Sequence, residues 1–192
     1  MQLILDDEGD DYITKDFALT SLFHTKRGSS KYNKEYCARH SGIYPVYSAS
    51  IYKPLGYIDT YDYEGRYLTW STDGFAGYIM IIDGKFSVNS ARGLLIPIDG
   101  RSDIDFDYVK FTLEPVLRRL ARGRRDIDGS DEYTHLPPSM LKNVMITLPV
   151  KQDGSIDINA QKEKSENYKK VEIVKKGIIS QLDIILSQKV VP

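Results

Sequence analysis

The order of segments constrains this chain more than any single residue. An aromatic, glycine-punctuated, β-rich body closes at Leu148-Pro149, and a charged helix with a leucine/isoleucine stripe then runs almost to the last residue. At 192 residues there is room for one domain of ordinary size with an appendage, not for two full domains. The sequence therefore predicts an α+β body over residues 1–150, and a linker with a helical dimerisation or spacer region over residues 151–192. Such a division suits a module that partners hold in position.

Between Phe17 and Ile98, short β-branched or aromatic runs alternate with turn signals, as in Tyr57-Ile-Asp-Thr-Tyr61, Tyr67-Leu-Thr-Trp70 and Tyr78-Ile-Met-Ile-Ile82. These read as strands. Asp83-Gly84 predicts a type I′ hairpin joining Tyr78–Ile82 to Lys85–Val88. Fourteen tyrosines suit a half-buried sheet, with rings packed and hydroxyls wet. Near Asp107 the period becomes helical through Tyr108, Phe111, Val116, Leu117 and Leu120, with Pro115 expected to open a second helical segment and Gly123 to end it. Pro137-Pro138-Ser139 predicts a helical turn through Leu141, and Val144–Leu148 a strand that Pro149 stops.

The terminal helix is expected to start at Asp157 or Asn159 and reach about Gln188. Its stripe of Val171, Val174, Ile178, Leu182 and Ile185, widened by Ile179 and Leu186, spans about two heptads. That length supports pairing with a partner helix, and folding back onto the body is the alternative. Gly177 weakens the middle by about 1 kcal/mol relative to alanine, which implies close helix approach or a bend.

Composition removes several functions. Apolar residues make up 41% and charged residues 28%, and no run approaches the roughly 20 apolar residues of a membrane helix. The amino terminus is too acidic, and its apolar run too short, for a secretory signal, so a cytoplasmic location is expected. Cys37 is the only cysteine, which leaves no internal disulfide and no cysteine-rich metal cluster. His24, His40 and His135 are scattered, and Cys37 with His40 supplies two metal ligands at most. There is no glycine-rich phosphate loop and no Gly-x-Ser-x-Gly elbow. Asp99, Asp103, Asp105, Asp107 and Lys110 resemble a Mg²⁺-holding nuclease centre, and a metal-dependent nuclease is the rival function. Acidic residues at a helix start also cap it and favour its dipole. The body therefore reads as a binder.

A net charge of −1 argues against indiscriminate coating of nucleic acid, yet the distribution is uneven. Asp6, Asp7, Glu8, Asp10, Asp11 and Asp16 crowd the start against Lys15, and Arg118, Arg119, Arg122, Arg124 and Arg125 fall within eight positions. Lys26, Arg27, Lys31, Lys34 and Arg39 interleave with Tyr32, Tyr36 and Ser29-Ser30 in a stretch read as a loop that grips phosphates or base edges. Ser48, Ser50, Thr72, Asp73 and Arg92, with Tyr47 and Arg66, complete the candidate DNA-contacting set. Solvated surface and turn formation are the ordinary alternatives for all of these.

The runs Gly42-Ile-Tyr-Pro-Val-Tyr-Ser-Ala-Ser50, Gly65-Arg-Tyr-Leu-Thr-Trp-Ser-Thr-Asp-Gly74 and Phe86-Ser-Val-Asn-Ser-Ala-Arg92 resemble the target-recognition domain of type I restriction–modification specificity subunits. Asp157-Ile-Asn-Ala-Gln-Lys-Glu163 opens a long helix much as that family's linking helix opens. The resemblance implies a non-catalytic subunit that reads half of a bipartite target in double-stranded DNA and docks onto methyltransferase and restriction subunits. It implies no cofactor in this chain, since S-adenosylmethionine, Mg²⁺ and ATP belong to those partners. No methyltransferase motif of the Asn/Asp-Pro-Pro-Tyr/Phe type occurs, and Leu136-Pro-Pro-Ser139 lacks both ends of it. Type I specificity subunits normally carry two such halves and this chain resembles one, which implies a half-subunit that forms a homodimer through the terminal helix, a truncated product or an excised domain. A helix-mediated interaction module that binds no DNA is the third reading.

Overall fold

The computed structural model describes residues 12–125 and 131–188. The acidic run at positions 6–11 lies outside the described residues. The body consists of small sheets wrapped around one helix. Strand β1 (Thr14–Ala18) leads through a short helical turn, α1 (Leu19–Leu22), into β2 (Phe23–Arg27), α2 (Lys34–Arg39), β3 (Ser41–Tyr47), β4 (Gly56–Ile58), β5 (Tyr63–Glu64), β6 (Tyr67–Ser71) and β7 (Asp73–Gly74). Strands β8 (Ile79–Ile82), β9 (Lys85–Val88) and β10 (Arg92–Pro97) follow, and then helix α3 (Phe106–Leu120). Strands β11 (Arg122–Arg125), β12 (Asp131–His135) and β13 (Met145–Pro149) close the body, and α4 (Ile158–Gln188) completes the chain.

The strands form four sheets, ordered β2-β10-β6-β8, β4-β3-β9-β5, β11-β12-β7 and β1-β13. The β3–β9 pairing is parallel, and the other pairings between named strands are antiparallel. The main core sits where α3 lays Val109, Leu113 and Leu117 against Trp70, Ile79, Leu136 and Leu148. Two smaller clusters, around Tyr32, Val46 and Ile58 and around Phe86, Val88 and Leu94, fill the space under the β3–β9 sheet. Trp70 is fully buried and donates its indole N–H to Leu136 O at 2.9 Å, which ties β6 to the end of β12. Gly93 makes room for that ring, because an added Cβ would lie 2.5 Å from its Cζ2 and Cζ3.

Several sequence expectations are corrected. The Asp83-Gly84 turn does not join a hairpin. β8 pairs with β6, while β9 pairs with β3 and β5, because buried Phe86 and Val88 draw it into the other sheet. Among the described residues Asp99 is the only non-glycine with positive φ, so Asp83 does not adopt the type I′ geometry. Gly84 instead exchanges backbone bonds with Gly65, at 3.0 and 3.1 Å. Pro115 lies inside one continuous helix α3 and opens no second segment. The buried face on both sides of it, Val109, Leu113 and Leu117, holds the helix together despite the missing N–H. The helix ends at Leu120, and Gly123 sits within β11. The stretch expected to loop around Lys34 contains α2, capped by Asn33 Oδ1 on Tyr36 N–H at 2.8 Å.

Other expectations agree with the structure. Asp157 caps α4, its Oδ1 accepting from the N–H groups of Asn159 (2.9 Å) and Ala160 (3.1 Å). The first turns of α4 pack on the body. Buried Gln161 accepts from Asp105 N–H and donates to Asp103 O, both at 3.0 Å, and Tyr168 meets Phe111 at 5.4 Å. From Ile173 onward the helix leaves the body and exposes its apolar side chains. Among the described residues no atom lies within 4 Å of a Cβ placed at Gly177, so this glycine serves no close approach to them.

Gly93→Ala is expected to cost about 1–3 kcal/mol by forcing Trp70 out of place. Urea unfolding followed by fluorescence of this single tryptophan checks it, and a midpoint equal to wild type would show that the Trp70–Gly93 contact has slack.

Candidate nucleic-acid interface

Segments distant in sequence meet around Asp73. The chain leaves β6 at Ser71, whose Oγ donates to Phe75 O and accepts from Tyr78 N–H at 3.1 Å, folding residues 71–78 into a tight turn. Thr134 on β12 secures this turn, its Oγ1 accepting from Ala76 N–H at 3.0 Å and donating to Gly74 O at 2.9 Å. Asp73 is thereby presented to Arg27 Nη2 at 2.7 Å, His135 Nδ1 at 2.6 Å and the Thr72 hydroxyl at 2.7 Å. Arg27 Nε also donates to Ser90 O at 2.6 Å, which fastens the β9–β10 turn to the same hub. Burial pushes the Asp73 carboxyl up, but hydrogen bonds from Thr72 and His135 and the charge of Arg27 outweigh it and hold the group below the usual carboxylate range.

Strand register extends this hub into a row. His135 faces Asp73 on one side and Arg122 on the other, and Tyr133 faces Arg124. Directly opposed residues share a sheet face, so Arg122, Arg124, Tyr133 and His135 project together while Gly123 and buried Thr134 take the other face. Gly123, at φ 149°, allows the close pairing, because a Cβ there would run into the Tyr133 carbonyl. Arg118, at the end of α3, covers the Tyr78 ring with its guanidinium 4.2 Å from the centroid. Arginines and aromatics on one face of this sheet have the chemistry to meet phosphates and base edges.

The sequence-selected residues divide unequally over this geometry. Arg27, Thr72, Asp73, Arg122 and Arg124 join the hub or its row, and Ser48 and Ser50 lie beside it on the β3–β4 loop. Lys26 and Lys31 flank it along a shallow cleft of about 330 Å³ lined by Lys26, Arg27, Ser29, Asp62 and Tyr63. Lys26 lies 5.5 Å from the Tyr63 ring, and Lys31 lies 4.5 Å from the Tyr32 ring and 3.9 Å from Asp62. Lys34 and Arg39 are exposed on α2, where Arg39 pairs with Glu35 at 2.6 Å, and they take no part in the hub. Arg66 pairs with Asp107 of α3 at 3.3 Å, on another side of the body. Tyr47 is half-buried against Phe86, and burial raises its phenol. The backbone of Arg125 pairs in β11, and its side chain lies outside the described set.

Two residues expected to read bases point inward. Thr72 is 1% exposed, its hydroxyl held between Asp73 and Ser90 O. Arg92 is 0% exposed and bonds to Ser48 O, Ala49 O, Ser50 O and Thr69 Oγ1, so it is a structural clamp buried out of reach of a base. His135 and Tyr133 are the site residues that sequence reading missed, since His135 was counted as scattered. The signal was the alternation Tyr133-x-His135 behind Arg122-x-Arg124, legible only once the two segments are known to pair.

Three carboxylates of the acidic segment are committed to other partners. Asp103 holds Arg101 through two bonds of 2.7 and 2.8 Å, Asp105 caps α3 on Tyr108 N–H, and Asp107 pairs with Arg66 and Lys169. Among the described residues no group of three or more His, Cys, Asp or Glu side chains is placed to hold a metal ion. Nor is any described helix long and apolar enough to cross a membrane.

Comparison with known proteins agrees with this architecture. The model of the type I restriction modification DNA specificity domain matches residues 14–183, and the chain belongs to that family. A putative type I specificity subunit of Mycoplasma pneumoniae, S.MpnORF507P, is 48% identical over 64 residues, covering 32% of this chain and 18% of that protein. The type I restriction enzyme MpnII specificity subunit of the same organism is 35% identical over 81 residues, covering 41% of this chain and 24% of its own length. The chain thus spans less than a quarter of the length of either relative. The crystal structure of a type I restriction–modification S subunit from M. genitalium superposes with a TM-score of 0.65 at 18% identity, over 92% of this chain and 44% of that one. The HsdS subunit of Thermoanaerobacter tengcongensis gives 0.57 at 14% identity, over 87% and 40%. The expected α+β body with a long C-terminal helix and the family resemblance are both borne out.

Asp73→Asn is expected to loosen the hub and destabilise the body by about 1–3 kcal/mol at pH 7, because Arg27 and His135 lose an ionised acceptor. The folded-state value of this carboxyl lies below its unfolded value. Its contribution is therefore complete above the unfolded value of about 3.9 and is lost as pH falls through the folded one. Denaturation of wild type and variant from pH 7 to pH 3 should give curves that converge at the acid end, and a constant gap would argue against the ionised role.

Proposed function

We propose that this chain is the DNA-reading module of a type I restriction–modification specificity subunit, non-catalytic in itself, which recognises one half of a bipartite target and directs methyltransferase and restriction subunits to it. The observation that carries this reading is the coincidence of the family match over residues 14–183 with a polar, arginine-bearing face gathered around Asp73. Phosphate contacts come from Lys26, Lys31, Arg122 and Arg124, and base-edge contacts from the ribbon face and the β3–β4 loop. Residues 1–150 act as the recognition domain and residues 151–192 as linker and spacer. S-adenosylmethionine, Mg²⁺ and ATP belong to the partner subunits, and the protein works in the cytoplasm.

In this reading α4 is the assembly surface. Val174, Ile178, Leu182 and Ile185 are 51–60% exposed, on a helix of 31 residues that extends about 46 Å. An apolar stripe of this kind calls for a partner helix, and a second copy of the chain would supply one. Two-fold pairing of halves is expected to give a palindromic split target.

Methylome sequencing of a host carrying the cognate methyltransferase, with and without this gene, tests the function. A methylated motif that appears only with the gene is expected, and no new motif despite confirmed methyltransferase binding would overturn the reading. Ile178→Glu is expected to abolish assembly while leaving the melting of the body unchanged; unaltered oligomer mass and unaltered methyltransferase binding would remove the stripe from the interface.

A further inference from the structure

The β3–β4 loop has an unusual support. Arg92 is 0% exposed, yet its guanidinium donates to three successive backbone carbonyls, Ser48 O at 2.6 Å, Ala49 O at 3.3 Å and Ser50 O at 3.1 Å, and to Thr69 Oγ1 at 3.0 Å. A buried cation without these acceptors would be strongly unfavourable, so the backbone at 48–50 is tied to the body. The tie continues outward. Ser50 Oγ accepts from the N–H groups of Tyr52 at 3.2 Å and Lys53 at 3.4 Å, which curls the chain into a turn. Tyr52 stands at the tip, 91% exposed, the most exposed of the large apolar side chains among the described residues. Ile51 and Lys53 flank it, and the loop runs beside the polar row, since a Cβ at Gly74 would lie 3.7 Å from Ala49 Cβ.

We infer that Tyr52 is a target-specificity residue, the aromatic tip of a pre-shaped loop that enters a groove of the target duplex against base edges, and that Arg92 is the positioning residue that holds it there. This inference rests on the DNA-reading function proposed above. A tyrosine ring supplies a large amphipathic contact with few torsions to order, and a loop clamped before binding loses less freedom on contact. Lys53, next along the loop, supplies a cation for a neighbouring phosphate, as do Arg27 and Arg122 from the polar row. A serine-rich loop that only closed a turn would need neither a buried guanidinium nor an exposed ring.

The test uses the full chain assembled with its methyltransferase subunit, on a duplex carrying the motif found by methylome sequencing and on the same duplex with that motif scrambled. Tyr52→Ala is expected to assemble and melt like wild type, to bind the motif duplex about ten-fold or more weakly, and to bind the scrambled duplex unchanged. Tyr52→Phe should retain wild-type affinity, because the ring makes the contact. Arg92→Lys, which keeps the charge but cannot span three carbonyls, should give a similar loss, and the double variant should be no worse than either single one. Discrimination by Tyr52→Ala equal to wild type, or a defect in subunit assembly instead of motif binding, overturns the role of Tyr52. Additive losses in the double variant overturn the positioning role of Arg92. A wild-type complex that does not distinguish the two duplexes defeats the underlying function, a result separable from a failure confined to Tyr52.

Discussion

A guanidinium cut off from water dictates the order of this body. Arg92 begins β10, the strand that β2 and β6 sandwich, and its side chain crosses to the β3–β4 loop to satisfy its donors on carbonyls and one hydroxyl. Burial draws its pKa down to about 10, so it remains charged at neutral pH. A charge in that position tolerates no loose acceptor, because each lost bond exposes the full cost of desolvation. The two larger sheets are therefore bound through a polar interaction at the place where the apolar clusters leave off.

A similar logic at the surface organises the face around Asp73. One carboxylate receives Arg27 from β2, Thr72 from the end of β6 and His135 from β12, elements brought together from 27 to 135 in sequence. Polar groups that would each cost ordering entropy to aim separately are aimed by their neighbours. The negative charge at the hub also offsets the positive charge of Arg27. The outcome is a polar surface that is rigid before any ligand arrives.

The two ends of α4 obey different rules. Its first turns are part of the body, through buried Gln161 and Ser165 and the Tyr168–Phe111 contact, while Ile178, Leu182 and Ile185 stay more than half exposed among the described residues. Folding back onto the body was the alternative open from the stripe alone. Exposure decides against it: Ala160 and Lys164 are buried, whereas Ile173, Val174, Ile179 and Leu186 are 58–70% exposed. Gly177, with open space around it, adds no contact that would reverse this.

Sequence alone determined what depends on neighbours in the chain. The β-rich body, the cap at Asp157, the 3₁₀ turn after Pro137 and the long terminal helix all follow from period and capping chemistry, and the order of aromatic runs carried the family. Pairing depended on contacts across the fold. Asp83-Gly84 looked like a hairpin until buried Phe86 and Val88 took β9 to another sheet, and Pro115 looked like a helix start until the face on α3 overrode it. The acidic segment and Arg92 show the same division, since a side chain's type states which bonds it can make while only the tertiary structure states which partners stand within reach. Asp105 became a cap, Arg92 a buried clamp, and His135 a member of the site, because burial and strand register, properties of the assembled chain, allotted their partners.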